Sequence, residues 1–194
     1  MTTTTKLTHD RYEIRRQAFK LFGGAYRIYD PTGELVFFAN QKAFRLRGDI
    51  RLYTDESMST EALLIKARQI IEWSAAYDVL EPVTERRLGA LRRKGLASMV
   101  RDEWALMDAE DQQLGVLRED SLLLGLFRRF ITNLLPQSFE LQVDGIPVAT
   151  FRQNFNPFVL KLAVDFSKDV GHVLDRRVGL AAGVLLCAIE GRQR

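Results

Sequence analysis

The sequence is poor in the residues that form most catalytic and metal sites. Its 194 residues include one cysteine and two histidines. A single cysteine excludes an internal disulfide framework and a multi-cysteine zinc site, and Cys187, in an apolar run, is expected to be buried. The common nucleophile-elbow, zinc-protease, dinucleotide and P-loop motifs are also missing. We therefore expect a protein without enzyme activity, metal or cofactor.

Long hydrophobic runs are missing as well. The longest, residues 178–189, would span about 18 Å as a helix, against about 30 Å of hydrocarbon in a bilayer. Residues 1–6 lack the apolar stretch of a secretory signal. We expect a cytoplasmic chain whose residues 1–10 form a disordered tail.

Charge of one sign is not in large excess either. The chain has 28 Lys and Arg against 25 Asp and Glu, a net charge of +3, and 46% of its residues are hydrophobic. The balance does not indicate nucleic acid, and no reading helix or aromatic stacking motif is found. The apolar content suffices for one sizeable core, and residues 11–194 are expected to form a single domain.

A hairpin pattern recurs along the chain. In the first unit, two strand-like segments flank Asp30-Pro31-Thr32-Gly33, which favours a type I turn. In the last unit, Asp144-Gly145 is a strong two-residue hairpin signal. The four units cover residues 25–38, 77–92, 104–118 and 139–151. Four similar hairpins predict a meandering antiparallel sheet, and closure into a barrel would remove its edges.

Two segments depart from this pattern. Residues 61–74 have apolar positions that fit a helical period, but a continued meander would make them a strand. From Val178 to Ile189 the chain is apolar on all sides, and Asp175 can cap a helix there. Because a helix that is apolar all round must be surrounded, we expect it inside the barrel.

Five motifs together resemble the tubby-like superfamily, in particular bacterial relatives of phospholipid scramblases and of plant LURP-one-related proteins. They are residues 26–33, 88–94, 102–108, 114–118 and 175–186, and the likeness covers residues 12–190. The resemblance implies a twelve-stranded antiparallel barrel around a hydrophobic C-terminal helix, and it favours a strand for residues 61–74. Some members of the superfamily bind phosphoinositides. The proline-rich region, cysteine cluster and calcium segment of animal scramblases are missing here, so lipid scrambling is not expected.

Basic residues cluster at several places. The candidate ligands for an anionic headgroup are Arg86, Arg87, Arg92, Arg93, Lys94, Arg128 and Arg129. Near an anionic membrane each would contribute about 1 kcal/mol, but the same residues also suit ordinary strand surface. On a strand, Arg92 and Arg93 point to opposite faces. The apolar residues 122–127 are interpreted as a packed strand or as a patch that enters a membrane interface.

The remaining polar candidates are few. The acidic pairs at residues 102–103 and 110–111 are interpreted as solvated charges at hairpin ends. His172 is expected at the mouth of the barrel, and an enzyme hypothesis would have to use it. Our main hypothesis is a non-enzymatic barrel, cytoplasmic or peripheral to the membrane, that binds anionic phospholipid headgroups or a phosphorylated ligand. The alternative is a protein-interaction scaffold that uses a sheet edge or the hairpin tips. The oligomeric state is left open.

Overall fold

The computed structural model describes residues 7–17, 24–41, 49–68, 75–93, 103–119, 137–154 and 159–190. These residues form a mostly β structure with one helix. The strands are β1 (Arg11–Gln17), β2 (Gly24–Tyr29), β3 (Leu35–Gln41), β4 (Ile50–Tyr53), β5 (Glu61–Ala67), β6 (Ala76–Leu80), β7 (Arg87–Arg93), β8 (Glu103–Met107), β9 (Gln113–Glu119), β10 (Ser138–Val143), β11 (Ile146–Asn154) and β12 (Val159–Asp165). The helix is α1 (Arg176–Glu190).

The twelve strands close into one antiparallel barrel. Each strand pairs with its neighbours in sequence, and β12 pairs with β1, so that Arg11 lies opposite Asp165 and Gln17 opposite Val159. The predicted fold class is confirmed. The alternative hypothesis of a protein-interaction scaffold requires a sheet edge or hairpin tips. Because each described strand is paired on both sides, none of them offers an unpaired edge to a partner.

Period-two alternation places the apolar side chains inside the barrel. In β10, Phe139, Leu141 and Val143 are buried, while the residues between them are partly exposed. In β1, Tyr12 and Ile14 are buried in the same way. Successive side chains of a strand point to opposite faces, so one face of each such strand supplies the core.

The predicted hairpin turns are confirmed. The Asp30 carboxylate accepts backbone hydrogen bonds from Thr32 and Glu34, both at 2.9 Å, and Gly33 closes the turn with a positive φ of 85°. Asp144 and Gly145 have φ angles of 50° and 79°. Positive φ at both central residues is typical of a type I′ turn, the form that the Asp-Gly pair favours.

Part of the ambiguous segment 61–74 is a strand. Glu61–Ala67 forms β5, and the register pairs Leu64 with Leu80. Its four central residues, 62–65, are all buried, so both faces of this strand are covered. Covering on both faces removes the alternation that normally identifies a strand. Residues 69–74 lie outside the described residues.

The helix α1 fills the interior. Asp175 caps it, because its carboxylate accepts the backbone N–H of Arg177 at 2.8 Å. Val178 packs on Gly89 of β7, and Gly183 packs on Ile14 of β1, which lies across the barrel from β7. A helix that contacts opposite walls of a closed sheet must lie inside it. The predicted buried helix is therefore confirmed.

The C-terminal part of α1 is tightly enclosed. A cavity of about 10 Å³ lies between Leu186, Cys187 and the wall, which is barely the room of one water molecule. Cys187 is 2% exposed, and burial raises the pKa of its thiol to about 12. As expected, this cysteine is a buried apolar residue. Among the described residues, α1 is the one α-helix. With 15 residues it is too short to span a membrane.

The segment before β1 is partly described. Leu7 packs against the core, and the backbone N–H of His9 donates to the hydroxyl of Tyr12 at 3.1 Å. The His9 ring also lies 3.7 Å from the Asp30 carboxylate. Residues 1–6 of the predicted tail lie outside the described residues.

Candidate functional site

The most extensive ionic network among the described residues lies on the outer face of β5 to β7. We call it the arginine cluster and define it by Arg68, Asp78, Arg87, Arg92 and Asp111. Arg68 follows β5, Asp78 belongs to β6, and Arg87 and Arg92 belong to β7. Asp111 lies in the turn between β8 and β9. The barrel thus brings together side chains separated by up to 43 residues.

Two carboxylates hold the three guanidinium groups together. Arg68 binds Asp78 through Nε at 2.9 Å and through Nη2 at 2.6 Å. It also binds Asp111 through Nη1 at 3.1 Å and Nη2 at 2.9 Å. Arg87 bridges the same two acids, with Nε 3.0 Å from Asp78 and a short contact from Nη2 to Asp111. Arg92 completes the group with a contact of 3.2 Å to Asp111.

The cluster is half-buried and carries one excess positive charge. Its side chains are between 21% and 42% exposed, with Arg92 the most accessible and Asp78 the least. The hydrogen bonds that Arg68 donates to Asp78 raise the pKa of its guanidinium group, and those that it donates to Asp111 add to the effect. Bidentate arginine–carboxylate pairs fix geometry as well as charge. The cluster is therefore an ordered arrangement of cations rather than a set of independent surface arginines.

Two of the seven predicted ligands, Arg87 and Arg92, are brought together in this cluster. Arg86 lies apart at the β6–β7 turn, 64% exposed, with its Nε 3.5 Å from Glu81. Arg93 follows Arg92 on the strand, and its backbone N–H donates to Ala75 at 2.8 Å. Lys94, Arg128 and Arg129 lie outside the described residues, as does the apolar segment 122–127.

Sequence reasoning missed three members of the cluster. The interpretation of Asp111 as a solvated charge was wrong, because its carboxylate contacts three guanidinium groups. No motif or cluster in the sequence singles out Arg68 or Asp78. The signal that identifies this pair is the register of β5 on β6, which places Lys66 opposite Asp78 and so puts Arg68 close to it. That register is a tertiary property.

The turns at one end of the barrel are strongly acidic. Consecutive antiparallel strands place five described turns and the segment before α1 at this end, which we call the turn end. Twelve acidic residues and two basic ones, Arg86 and Lys168, lie there. The acidic residues are Asp30, Glu34, Asp55, Glu56, Glu81, Glu85, Asp108, Glu110, Asp111, Asp144, Asp169 and Asp175. Since the whole chain is positively charged, the excess of cations lies elsewhere.

The same end carries exposed apolar side chains. Val83 is 91% exposed at the tip of the β6–β7 turn, and Val170 and Val173 are 86% and 60% exposed before α1. Ile146, at the start of β11, is 65% exposed. A groove of about 310 Å³ lies nearby on β9 and β10, and its Arg118 is held by Glu103 at 3.0 Å. Single exposed valines are ordinary, but several on the turns of one end form a candidate contact surface.

His172 lies at the turn end, as expected for the mouth of the barrel. It is exposed, has a φ of 50°, and its Nδ1 lies 3.2 Å from Nη2 of Arg176. Within the described ranges, no group of three or more histidine, cysteine, aspartate or glutamate side chains is arranged to hold a metal ion.

Fold and site together define a closed antiparallel barrel, filled by its own helix, with an arginine cluster on its outer wall. Comparison with known proteins adds no relative: no family model, no curated protein and no solved structure matches this chain.

Proposed function

We propose that this barrel binds anionic phospholipid headgroups, or a phosphorylated ligand of the same chemistry, at the arginine cluster. The observation that carries the proposal is the convergence of Arg68, Arg87 and Arg92 on one patch of the outer wall. Planar guanidinium groups bind phosphate oxygens bidentately, and half-buried ones are screened less by salt than fully exposed ones.

The charge distribution argues against binding through the acidic tips of the turn end. An anionic surface would repel the acidic turn end, so the protein would turn that end away from it. The resemblance to tubby-like and scramblase-related proteins agrees with a headgroup-binding, non-enzymatic role peripheral to a cytoplasmic membrane face. The filled interior supports surface binding over enclosure of a lipid, because α1 occupies the space that an acyl chain would need.

The test is co-sedimentation with neutral and anionic vesicles across a salt series. We expect binding to anionic vesicles alone, and we expect it to fade as salt shortens the screening length. Arg92→Gln should weaken binding about fivefold, since one basic residue near an anionic surface contributes about 1 kcal/mol. Arg92 is the most exposed cation of the cluster, so its loss should disturb the fold least.

Arg152→Gln is the matched control. Arg152 is exposed on β11, four strands away from β7, and its substitution removes the same charge. We expect it to change vesicle binding by less than about twofold if the cluster is the contact. Equal losses in the two variants would show that binding follows net charge alone, and no binding at low salt would refute the proposal.

A protein-interaction scaffold is the second candidate, and the exposed valines of the turn end favour it. Apolar tips surrounded by carboxylates would suit a partner with an apolar contact and a basic rim. Val83→Ser should then reduce recovery of one stoichiometric partner in a pull-down. The same substitution should leave vesicle binding unchanged, because Val83 lies at the acidic end. Recovery that is insensitive to Val83 would argue against this use of the turn end.

A further inference from the structure

The Asp111 carboxylate occupies the centre of the arginine cluster. Four guanidinium N–H groups approach its two oxygens: two from Arg68, one from Arg87 and one from Arg92. Asp78, by contrast, is held by two arginines. Charge-assisted hydrogen bonds from arginine are the means by which proteins recognise carboxylate and phosphate anions, so the environment of Asp111 resembles that of a bound anion.

The turn that carries Asp111 does not need this side chain for its own closure. Asp108 and Gln112 close it through a backbone hydrogen bond of 2.9 Å. The Asp108 carboxylate then accepts the backbone N–H groups of Glu110 and Gln112 at 3.0 and 2.7 Å. Asp111 itself has a φ of 67°, a conformation that aspartate and asparagine tolerate best after glycine. Its side chain therefore contacts the arginines without a role in the turn.

Charge arithmetic indicates what could replace this carboxylate. Three arginines and two aspartates leave one positive charge, whereas the site without Asp111 has two. A phosphate monoester carries a charge of about −1.5 to −2 near neutral pH and offers three acceptor oxygens. It would neutralise the emptied site and supply acceptors for all three guanidinium groups. A phosphodiester, with one negative charge, would do so less completely.

We propose that Asp111 is an internal occupant of a phosphate-monoester site formed by Arg68, Arg87 and Arg92, and that the ligand binds by displacing it. Asp78 stays in place and keeps Arg68 oriented through their hydrogen bonds, with the Nε of Arg87 3.0 Å from the same carboxylate. Displacement is local, because Asp111 is 34% exposed and its side chain can rotate towards solvent while the turn stays closed. This inference rests on the proposed function, and it names the ligand chemistry and the control of that same site.

The test measures the affinity for inorganic phosphate, with ionic strength held constant by chloride. Asp111→Asn keeps the positive φ but removes the competing charge, so we expect it to bind phosphate at least about tenfold more tightly than the wild type. Glu110→Gln is the control, because it removes the same charge from the same turn and Glu110 is exposed. Adding Arg92→Gln to Asp111→Asn should reverse the gain. Equal affinity in Asp111→Asn, Glu110→Gln and the wild type would overturn the proposal.

Vesicles then separate the two sources of this chemistry. With Asp111→Asn, tighter binding to phosphatidic acid, a monoester, than to phosphatidylglycerol, a diester, would support a lipid headgroup as the ligand. Gain for inorganic phosphate without gain on either vesicle would support a soluble phosphorylated ligand. Vesicle binding by the wild type with no effect of Asp111→Asn would sink this inference and leave the proposed lipid binding intact. If neither the wild type nor Asp111→Asn binds vesicles, but Asp111→Asn still binds inorganic phosphate more tightly, the proposed lipid binding fails and this inference stands.

A second measurement uses the wild-type protein, so its result does not depend on whether a variant folds. In the wild type, phosphate should shift the NMR resonance of the Asp111 side-chain carboxyl carbon as the carboxylate leaves the guanidinium groups. The Asp144 carboxyl carbon, on the β10–β11 turn, should stay unchanged. A resonance of Asp111 that does not respond to phosphate at any concentration the protein tolerates counts against displacement.

Discussion

The two glycines of α1, Gly179 against the segment before the helix and Gly183 against the wall of the barrel, should respond very differently to the same substitution. A Cβ atom at Gly179 would lie 2.4 Å from Cε1 and 2.7 Å from Cζ of Phe166, with Leu174 at 3.3 Å. A Cβ atom at Gly183 would lie 2.6 Å from the terminal Cδ1 of Ile14, and its other neighbours are at ordinary distances. Alanine therefore meets a ring in the first case and the end of a flexible chain in the second.

The mobility of the neighbour sets the magnitude. Phe166 is 1% exposed and is held between Tyr12, at a centroid distance of 6.1 Å, and Arg176, whose Cζ lies 4.6 Å from the ring centroid. Overpacking against a fixed ring costs about 3 kcal/mol, while alanine gains about 1 kcal/mol over glycine in a helix. Gly179→Ala should thus lower the free energy of unfolding by about 2 kcal/mol. At Gly183, a rotamer change of Ile14 costs about 1 kcal/mol and offsets the helix gain.

The measurement is urea denaturation followed by far-ultraviolet circular dichroism, with both variants compared under one condition. Gly179→Ala should unfold at a clearly lower urea concentration than Gly183→Ala, and the slope of the transition should be unchanged. Equal midpoints, or a Gly179→Ala variant as stable as the wild type, would refute the packing of α1 against Phe166.

Two further predictions concern buried groups. Cys187 should resist a maleimide at about pH 8 in the native state and react once urea unfolds the chain, because burial raises the pKa of its thiol to about 12; fast native labelling would contradict the enclosed helix. Asp169→Asn should lower the free energy of unfolding by about 3 kcal/mol, since the Asp169 side chain is 1% exposed and accepts a hydrogen bond of 2.7 Å from Arg176. Asp10→Asn is its control: Asp10 binds the same arginine from a 55% exposed position, so the change should be below about 1 kcal/mol, and similar losses in the two variants would disprove the role of burial.

Local chemistry made the turns and the helix predictable. Asp30-Pro31-Thr32-Gly33 and Asp144-Gly145 specify their turns through residues within the turns themselves. The burial of the helix of residues 176–190 was predictable because a helix that is apolar on all sides must be covered by other elements. A meander of hairpins can close into a sheet that covers it. These features depend on short-range sequence, which is why a closed antiparallel sheet around a buried helix could be derived without tertiary information, whereas the number of strands was taken from the resemblance to the tubby-like superfamily.

The segment that forms β5 and the arginine cluster depend on contacts between distant parts of the chain. Burial of β5 on both faces erased its alternation, so the pattern of residues 61–67 alone fitted a helix as well as a strand. The partners of Arg87 could not be predicted, since Asp78 is fixed by the register of β6 and Asp111 by the position of a turn. The basic residues can be found in the sequence, but the sequence does not show which of them are neutralised by acidic residues of other strands.

Closure of the barrel by β1 and β12 has a consequence for synthesis of the chain. The first strand waits for its second partner while the ribosome adds the stretch from Gln17 to Val159, which takes about 7 to 30 s at 5–20 residues per second. The helix that fills the interior follows β12 in the sequence. All twelve strands are therefore synthesised before this helix. During that time the inner faces of the strands, rich in leucine, isoleucine and phenylalanine, are open to chaperones. We therefore expect the barrel to be completed after β12 has been translated, and we expect its yield in a cell to depend on protection of those faces until then.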